Sequence, residues 1–458
     1  MNSSTTIRTV LNDFMDQERL NLTQFAQRSR INAGTLSSIL NGNRTLSIDQ
    51  LDLITEAMGL PRGHFYDQYY EEVLTESTPD WRRIRPFLYG CEEVGNLNGI
   101  QKAVQLLLDN LMYAPLLFEV AEDFYNNGKK NAAIILYENV ALSEKSQHSE
   151  RLALCQYRLF MCKLGDDQSK NYQTALQFEF FVDRLNEYDQ LDALKDLANT
   201  YRSLRCWDKV EEVTRKLNYV AKVLYQKGPK YFNDRQTSRP LFVYLAYSYL
   251  LLGNVYENTR NYEKALHYIE KYANLDWVKE DDIDSEYWKE KFQKWAKMNA
   301  LETRLSSGDL SVLPSYSFYI EDNEDEVLLS LLNILESANR HNFNVDSVLQ
   351  RFEIPAVTQQ DFSKSVYSEK TIKERLTRFY YELAHYYLVN GESNSGVGYL
   401  INCLEKSASI NEKNCIIRCV GLFERYRDHF DSVTIQTYQK IIAEVYKNEK
   451  KIDSTPVT

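Results

Sequence analysis

Glycine and proline are scarce: 16 and 9 in 458 residues, about half the usual share. A chain with so few left-handed turns and breaks is mostly helical, and the predicted fold class is all-α. Histidine is scarcer still, at six residues that never gather. There is no Gly-rich phosphate loop, no HExxH and no Gly-x-Ser-x-Gly, so no enzyme and no cofactor are expected. No apolar stretch reaches membrane length, and MNSSTTIRTV has no basic segment followed by an apolar one, so no membrane partner and a cytoplasmic location are expected. The seven cysteines are scattered. Cys155/Cys162 and Cys415/Cys419 have helical spacing, but no histidine flanks either pair, and buried free thiols are the expectation, with no metal.

What is present is ordinary globular composition, 43% apolar and 26% charged, with length enough for two or three domains. The net charge is −11, which argues against a surface that wraps nucleic acid throughout. The excess acid lies in the body: up to Tyr66, six arginines face six acids. One local absence stands out. From Arg19 to Ile48 there are four arginines and no Asp, Glu or Lys.

That stretch reads as two short helices and a tight turn. Leu22, Phe25, Ala26 and Ser29 share one face behind an Asn21 cap. Arg30-Ile31-Asn32 is the turn, with Asn32 capping the second helix. There Leu36, Ile39 and Leu40 point inward, while Gly34, Ser37, Ser38 and Asn41 point outward, and Gly42 stops the helix. Small residues and short hydrogen-bonders on an outer face allow a helix to approach base edges in a major groove, and arginines can neutralise phosphates. A helix at about Thr6–Gln17 with Ile7, Val10, Leu11 and Phe14 buried precedes it. Ser47 and Gln50 open a fourth helix with a capping box, and Pro61 a fifth running to about Val73. TESTPDWRRIRP reads as the linker.

Phe25-Ala26, Ile31-Asn32, Leu36-Ser37, Ile39 and Asn41-Gly42-Asn43-Arg44, continuing through Leu51, Ile54, Ala57-Met58-Gly59-Leu60 and Phe65, resemble the XRE-type (phage-repressor-like) helix-turn-helix family. The resemblance implies double-stranded operator DNA as partner. Ala33, Gly34, Ser37 and Ser38 would face bases. Thr35, Asn41, Asn43 and Arg44 would approach phosphates, with Arg28 and Asn32 completing the DNA-binding set. Where the family often carries glutamine at the start of its second helix, this chain has Leu22.

From Phe87 to about Lys447 the pattern is helix after helix. Tyr249-Leu-Leu-Leu-Gly253-Asn-Val-Tyr256 and Asn261-Tyr262-Glu-Lys-Ala265-Leu-His-Tyr-Ile269 resemble the tetratricopeptide repeat (TPR). Weaker copies have anchors at Ala121, Phe124, Ala133 and Tyr137; at Ala198, Tyr201, Trp207 and Val210; and at Tyr380, Ala384, Tyr387, Gly396 and Leu400. Gly228-Pro229 and Ser306–Asp325 read as longer loops. The implied organisation is a five-helix head (1–74), a linker (75–86), an α-solenoid of TPR-like hairpins (87–447) for sensing and dimerisation, and a disordered tail (448–458). In TPRs the positions after the first-helix anchors line a concave groove. Here these are Glu122, Tyr125, Asn199, Arg202, Asn254, Glu257, His385 and Leu388. Asn199 and Asn254 occupy equivalent slots, and an asparagine can grip a peptide backbone.

An XRE-type head on a TPR body resembles the peptide-responsive quorum-sensing regulators (the RRNPP group). The resemblance implies a cytoplasmic homodimer that binds operator DNA and is switched by a short signalling peptide. The alternatives are a body that docks a protein partner, or one that sequesters or dephosphorylates a response regulator.

Overall fold

The computed structural model describes residues 6–76, 78–108, 110–147, 149–228, 237–321, 326–359 and 369–453. Most of these are helical, with no strand among them. The chain forms two compact units, Met1–Cys162 and Lys163–Thr458.

The first unit begins with α1 (Ile7–Gln17), α2 (Leu22–Ser29), α3 (Ala33–Leu40), α4 (Ile48–Ala57) and the short α5 (Tyr66–Tyr69). The caps are those the sequence predicts. Asn21 and Ser47 close reciprocal boxes with Gln24 and Gln50, and Asn32 accepts from Gly34 and Thr35. Arg30 takes the left-handed position between α2 and α3, and Gly42 the one after α3. Met15 is buried in α1, while Val10 and Phe14 are half-buried. Pro61 opens a turn rather than a helix: His64 N–H donates to the Pro61 carbonyl, and α5 starts only at Tyr66.

The predicted linker is corrected. Asp80 caps α6 (Trp81–Glu93), with Pro86 inside it. Phe87 is fully buried, stacks on Tyr69 at 5.8 Å and meets the tilted Tyr66 ring at 5.6 Å. Gly90 leaves room for the Tyr66 ring, since a Cβ there would lie 2.6 Å from its hydroxyl. Apolar contact on both sides of residues 75–86 therefore makes α5 and α6 one core, and composition alone hides this. Helices α7 (Leu97–Gln105), α8 (Ala114–Asn126), α9 (Lys130–Ser143) and α10 (Glu150–Lys163) follow, and the unit boundary falls at the end of α10.

The second unit holds α11 (Gln168–Glu179), α12 (Glu187–Ser203), α13 (Trp207–Lys227), α14 (Leu241–Asn258), α15 (Tyr262–Ala273) and α16 (Ile283–Ser306). It continues with α17 (Leu313–Glu321), α18 (Val327–His341), α19 (Asp346–Arg351), α20 (Ile354–Gln359), α21 (Glu369–Val389), α22 (Ser393–Ser409), α23 (Lys413–Tyr426) and α24 (Ser432–Asp453). Two expectations change. Most of the Ser306–Asp325 loop is helix, because Leu310–Val312 forms a tight turn leading into α17. Helix α24 runs to Asp453, past the expected end at 447, and residues 454–458 of the expected tail lie outside the described residues, as does Pro229.

Six hairpins share one backbone device. Exactly three residues separate α6/α7, α8/α9, α12/α13, α14/α15, α21/α22 and α22/α23, and the middle one is left-handed: Gly95, Gly128, Arg205, Arg260, Gly391 and Asn411. The third residue's N–H returns to a carbonyl five positions back, as in Asn96 to Cys91, Lys129 to Phe124, Cys206 to Tyr201, Asn261 to Tyr256, Glu392 to Tyr387 and Glu412 to Ser407. This satisfies a carbonyl that the helix end leaves orphaned and reverses the chain at a fixed angle. The small anchors Ala121, Ala133, Ala198, Ala265 and Ala384 are all buried where paired helices meet.

Truncating Phe87 to Ala is expected to destabilise the α5–α6 junction by about 3–5 kcal/mol. Chemical denaturation followed at the α1–α5 amides by hydrogen exchange checks this. Protection of α1–α5 unchanged in the variant would restore a freely linked head.

Candidate ligand cavity and exposed α3 face

In the second unit α12, α14, α16, α18 and α21 line a cavity of about 580 Å³, within the range of small-ligand sites. Each gives it one stripe at helical spacing: Asn199 and Arg202 from α12; Tyr247, Asn254 and Glu257 from α14; Trp288, Lys291, Trp295 and Glu302 from α16; Asn333, Glu336 and Arg340 from α18; Glu374 and Arg378 from α21. Arg205, from the left-handed turn after α12, joins them.

Of the residues predicted to line a groove, Asn199, Arg202, Asn254 and Glu257 come together here. The two asparagines are already oriented: Tyr247 donates to Asn199 Oδ1 at 2.7 Å, and Arg202 Nη1 to Asn254 Oδ1 at 3.3 Å. Their Nδ2 groups are left as the donors. Asn333 contributes a further amide, on a side chain 8% exposed and beside the buried Tyr316 hydroxyl. Glu122 and Tyr125 lie in the first unit. The Glu122 carboxylate accepts from Tyr137 and, bidentately at 2.9 Å, from Arg158, whose guanidinium stacks on the Tyr125 ring at 4.8 Å. His385 is half-buried beside Tyr381 and is not among the cavity-lining residues, and burial lowers its pKa. Leu388 is buried and packs against Gly396.

The lining carries eight Lys/Arg and five Asp/Glu, a cationic excess inside a chain of net charge −11. Its acids differ sharply. Burial raises Glu257 to about 7, against a 3.0 Å hydrogen bond from Ser306 Oγ that favours its charged form. Burial, then the neighbouring Glu257 and Glu336, push Glu302 well above the ordinary range. Glu336 goes the other way. Burial opposes its charge, but Arg378 and Arg205 outweigh that and hold it at about 2. Arg202, Lys291 and Arg340, by contrast, hydrogen-bond to neutral groups: Asn254, the Tyr287 hydroxyl, and the Tyr262 hydroxyl with the Ser306 carbonyl.

Sequence reasoning passed over α16 and α18 because they lack the small anchors of the repeat. The spacing of Trp288, Lys291, Trp295 and Glu302 is nonetheless that of one helical face.

On α3, Gly34 and Asn41 are exposed, as are Asn32, Asn43, Arg44 and Arg28 around it; Ala33, Thr35, Ser37 and Ser38 are half-buried. Ser38 Oγ donates to the Gly34 carbonyl at 2.9 Å and Asn41 Nδ2 to Ser37 Oγ at 3.3 Å. Arg28 lies over the Phe14 ring. Around Gly34 a Cβ would meet only Asn32 Oδ1, at 3.2 Å, and its φ is not left-handed. A side chain there would crowd the Asn32 oxygen that caps α3, so the cap itself favours a small residue at 34.

No protein-family model matches the chain, and no curated protein matches it significantly. No described helix is long and apolar enough to cross a membrane.

A carboxyl whose folded pKa is raised contributes stability that is full below its unfolded value, near 4.5, and is lost as pH rises through about 7. Glu257→Gln keeps an acceptor for Ser306 and removes that loss. The variant is expected to exceed the parent in stability at pH 8 by on the order of 1–3 kcal/mol and to match it near pH 5. Urea titrations at both pH values check this. Equal stabilities at pH 8 would mean that Glu257 titrates normally.

Proposed function

We propose that this chain is a cytoplasmic DNA-binding transcriptional regulator, with an XRE-type head in α1–α5 and a TPR-like solenoid in which the cavity binds a short signalling peptide rich in negative charge. The observation that carries the reading is the cavity itself. Alternate helices present donors and cations there, and three cations have only neutral hydrogen-bond acceptors. Its volume suits a few residues of extended chain and excludes a folded domain. Six hairpins with one turn geometry support the repeat, and the small, exposed face of α3 supports DNA contact.

The peptide acts by favouring one dimer geometry over another, since equal affinity for both would shift nothing. Two heads then match or miss the spacing of two half-sites. Exposed Ile417, Val433 and Tyr446 on α23 and α24 suit a homodimer contact. The measurement is light scattering on the full chain, because the boundary at residue 162 rules out cutting at 87. A mass of twice 53.7 kDa is expected, and a monomer at micromolar concentration would remove the dimer.

For the cavity, synthetic peptides tiled across any short secreted reading frame beside the gene are titrated by calorimetry. Asn254→Ala is expected to lose roughly 1–3 kcal/mol of affinity, ten- to a hundredfold, and amidating the peptide's acids should weaken it further. Full affinity in both Asn199→Ala and Asn254→Ala, or co-purification of a stoichiometric folded protein in place of a peptide, would move the ligand elsewhere.

For the head, Arg44→Ala should weaken binding to all duplexes and flatten the salt slope by about one unit, while changes at Ser38 alter sequence preference. Two variants that bind like the parent across a salt titration would end the DNA-binding assignment.

A further inference from the structure

Three cysteines that lie apart in sequence converge in the second unit. Cys415 and Cys419 stand one turn apart on α23, and Cys403 faces them from α22. Cys403 Sγ is 3.5 Å from Cys415 Sγ and 3.3 Å from Cys419 Sγ, and the three sulfurs lie within 4.8 Å of one another. All three residues are buried, among Leu400, Leu404, Leu422 and Phe423. Two thiolates bonded at about 2.3 Å to one ion stand roughly 3.8 Å apart at the tetrahedral angle. The two spacings to Cys403 lie within about 0.5 Å of what one shared ion requires.

We propose that Cys403, Cys415 and Cys419 form a three-thiolate site for one soft divalent cation, Zn²⁺, that clamps α22 to α23. Soft sulfur donors select zinc or cuprous ion over hard cations. Charge favours the divalent ion: three thiolates with Zn²⁺ leave one negative charge, with Cu⁺ two, and a buried unpaired charge is expensive. Arg418, between the two ligands of α23, is the adjacent cation; it stacks on Tyr381 at 3.9 Å and pairs with Glu382 at 2.9 Å. Ser407 Oγ lies 3.8 Å from Cys403 Sγ and donates to the Cys403 carbonyl at 2.7 Å. Binding releases the thiol protons to solvent and involves no redox step.

The clamp sits under α24, where Tyr438 stacks on Phe423 at 3.8 Å. Metal removal should thus loosen the C-terminal hairpin first. The site is independent of the DNA- and peptide-binding reading.

The test uses the full reduced chain, stripped with a chelator and titrated with Zn²⁺ against a chromophoric competitor, and with Co²⁺ as a spectroscopic probe. One ion per chain at submicromolar affinity is expected, with ultraviolet thiolate-to-cobalt charge transfer and a raised Tm. Cys403→Ser and Cys419→Ser should each lose at least a hundredfold in affinity, while Cys155→Ser, a buried thiol in the other unit, binds like the parent. Because a core serine can unfold the hairpin, the parent's cobalt spectrum decides independently: absence of sulfur charge transfer overturns the site. So do zinc affinities unchanged in the triad variants, or tight Cu⁺ binding with no Zn²⁺ binding.

Discussion

The structure of the second unit depends on a short backbone turn used again and again. Three residues, the middle one left-handed, return an N–H to the carbonyl five positions earlier and send the next helix back antiparallel. Where hairpins stack, this constraint sorts helices into an alternating order. α12, α14 and α21 each open a hairpin and reach the cavity, and α13, α15 and α22 close them. This turn thus places three of the five cavity helices, α16 and α18 reach the cavity without it, and each helix presents the one stripe that faces inward.

Half of that device is visible in the sequence and half is not. Gly95, Gly128 and Gly391 announce left-handed turns. Arg205, Arg260 and Asn411 do the same work where a Cβ costs on the order of 1 kcal/mol or more, so turn rules keyed to glycine miss them. The head's caps were legible because Asn21, Asn32 and Ser47 act within three residues of themselves. Long-range effects were not. The turn-rich composition of 75–86 gave no sign that Phe87 would stack on Tyr69. The pairing of Cys415 with Cys419 was readable as helical spacing, but the partner that turns a pair into a cluster, Cys403, arrives across a hairpin. In the cavity, Asn199 and Asn254 could be found from their neighbouring anchors. Glu336 and Arg378 could not, since their importance lies in each other.

That ion cluster fixes how the cavity handles charge. Glu336 is spoken for by Arg378 and Arg205, so it offsets part of the cationic lining itself. Glu257 feels Arg340 and Arg205, and Glu302 feels Arg375, but burial outweighs these cations and resists ionisation of both carboxyls. Near neutral pH the lining is therefore more cationic than its residue count implies. An anionic ligand entering it raises the number of negative charges and pushes these two carboxyls further toward their neutral forms, so binding should take up protons rather than release them.

The same reasoning explains why the two asparagines are held rather than loose. A side-chain amide that must be ordered on binding forfeits rotamer entropy, and an oriented one does not. Tyr247 and Arg202 fix the carbonyl ends of Asn199 and Asn254, which aims both NH₂ groups before any ligand arrives. Arg202 carries two obligations in consequence. If it turns to an incoming carboxylate it releases Asn254, and that asparagine can then accept as well as donate. The single guanidinium of Arg202 links α12 to α14 through Asn254. On the proposed reading, exchange of that partner for a ligand carboxylate would couple occupancy of the cavity to the α12–α14 contact.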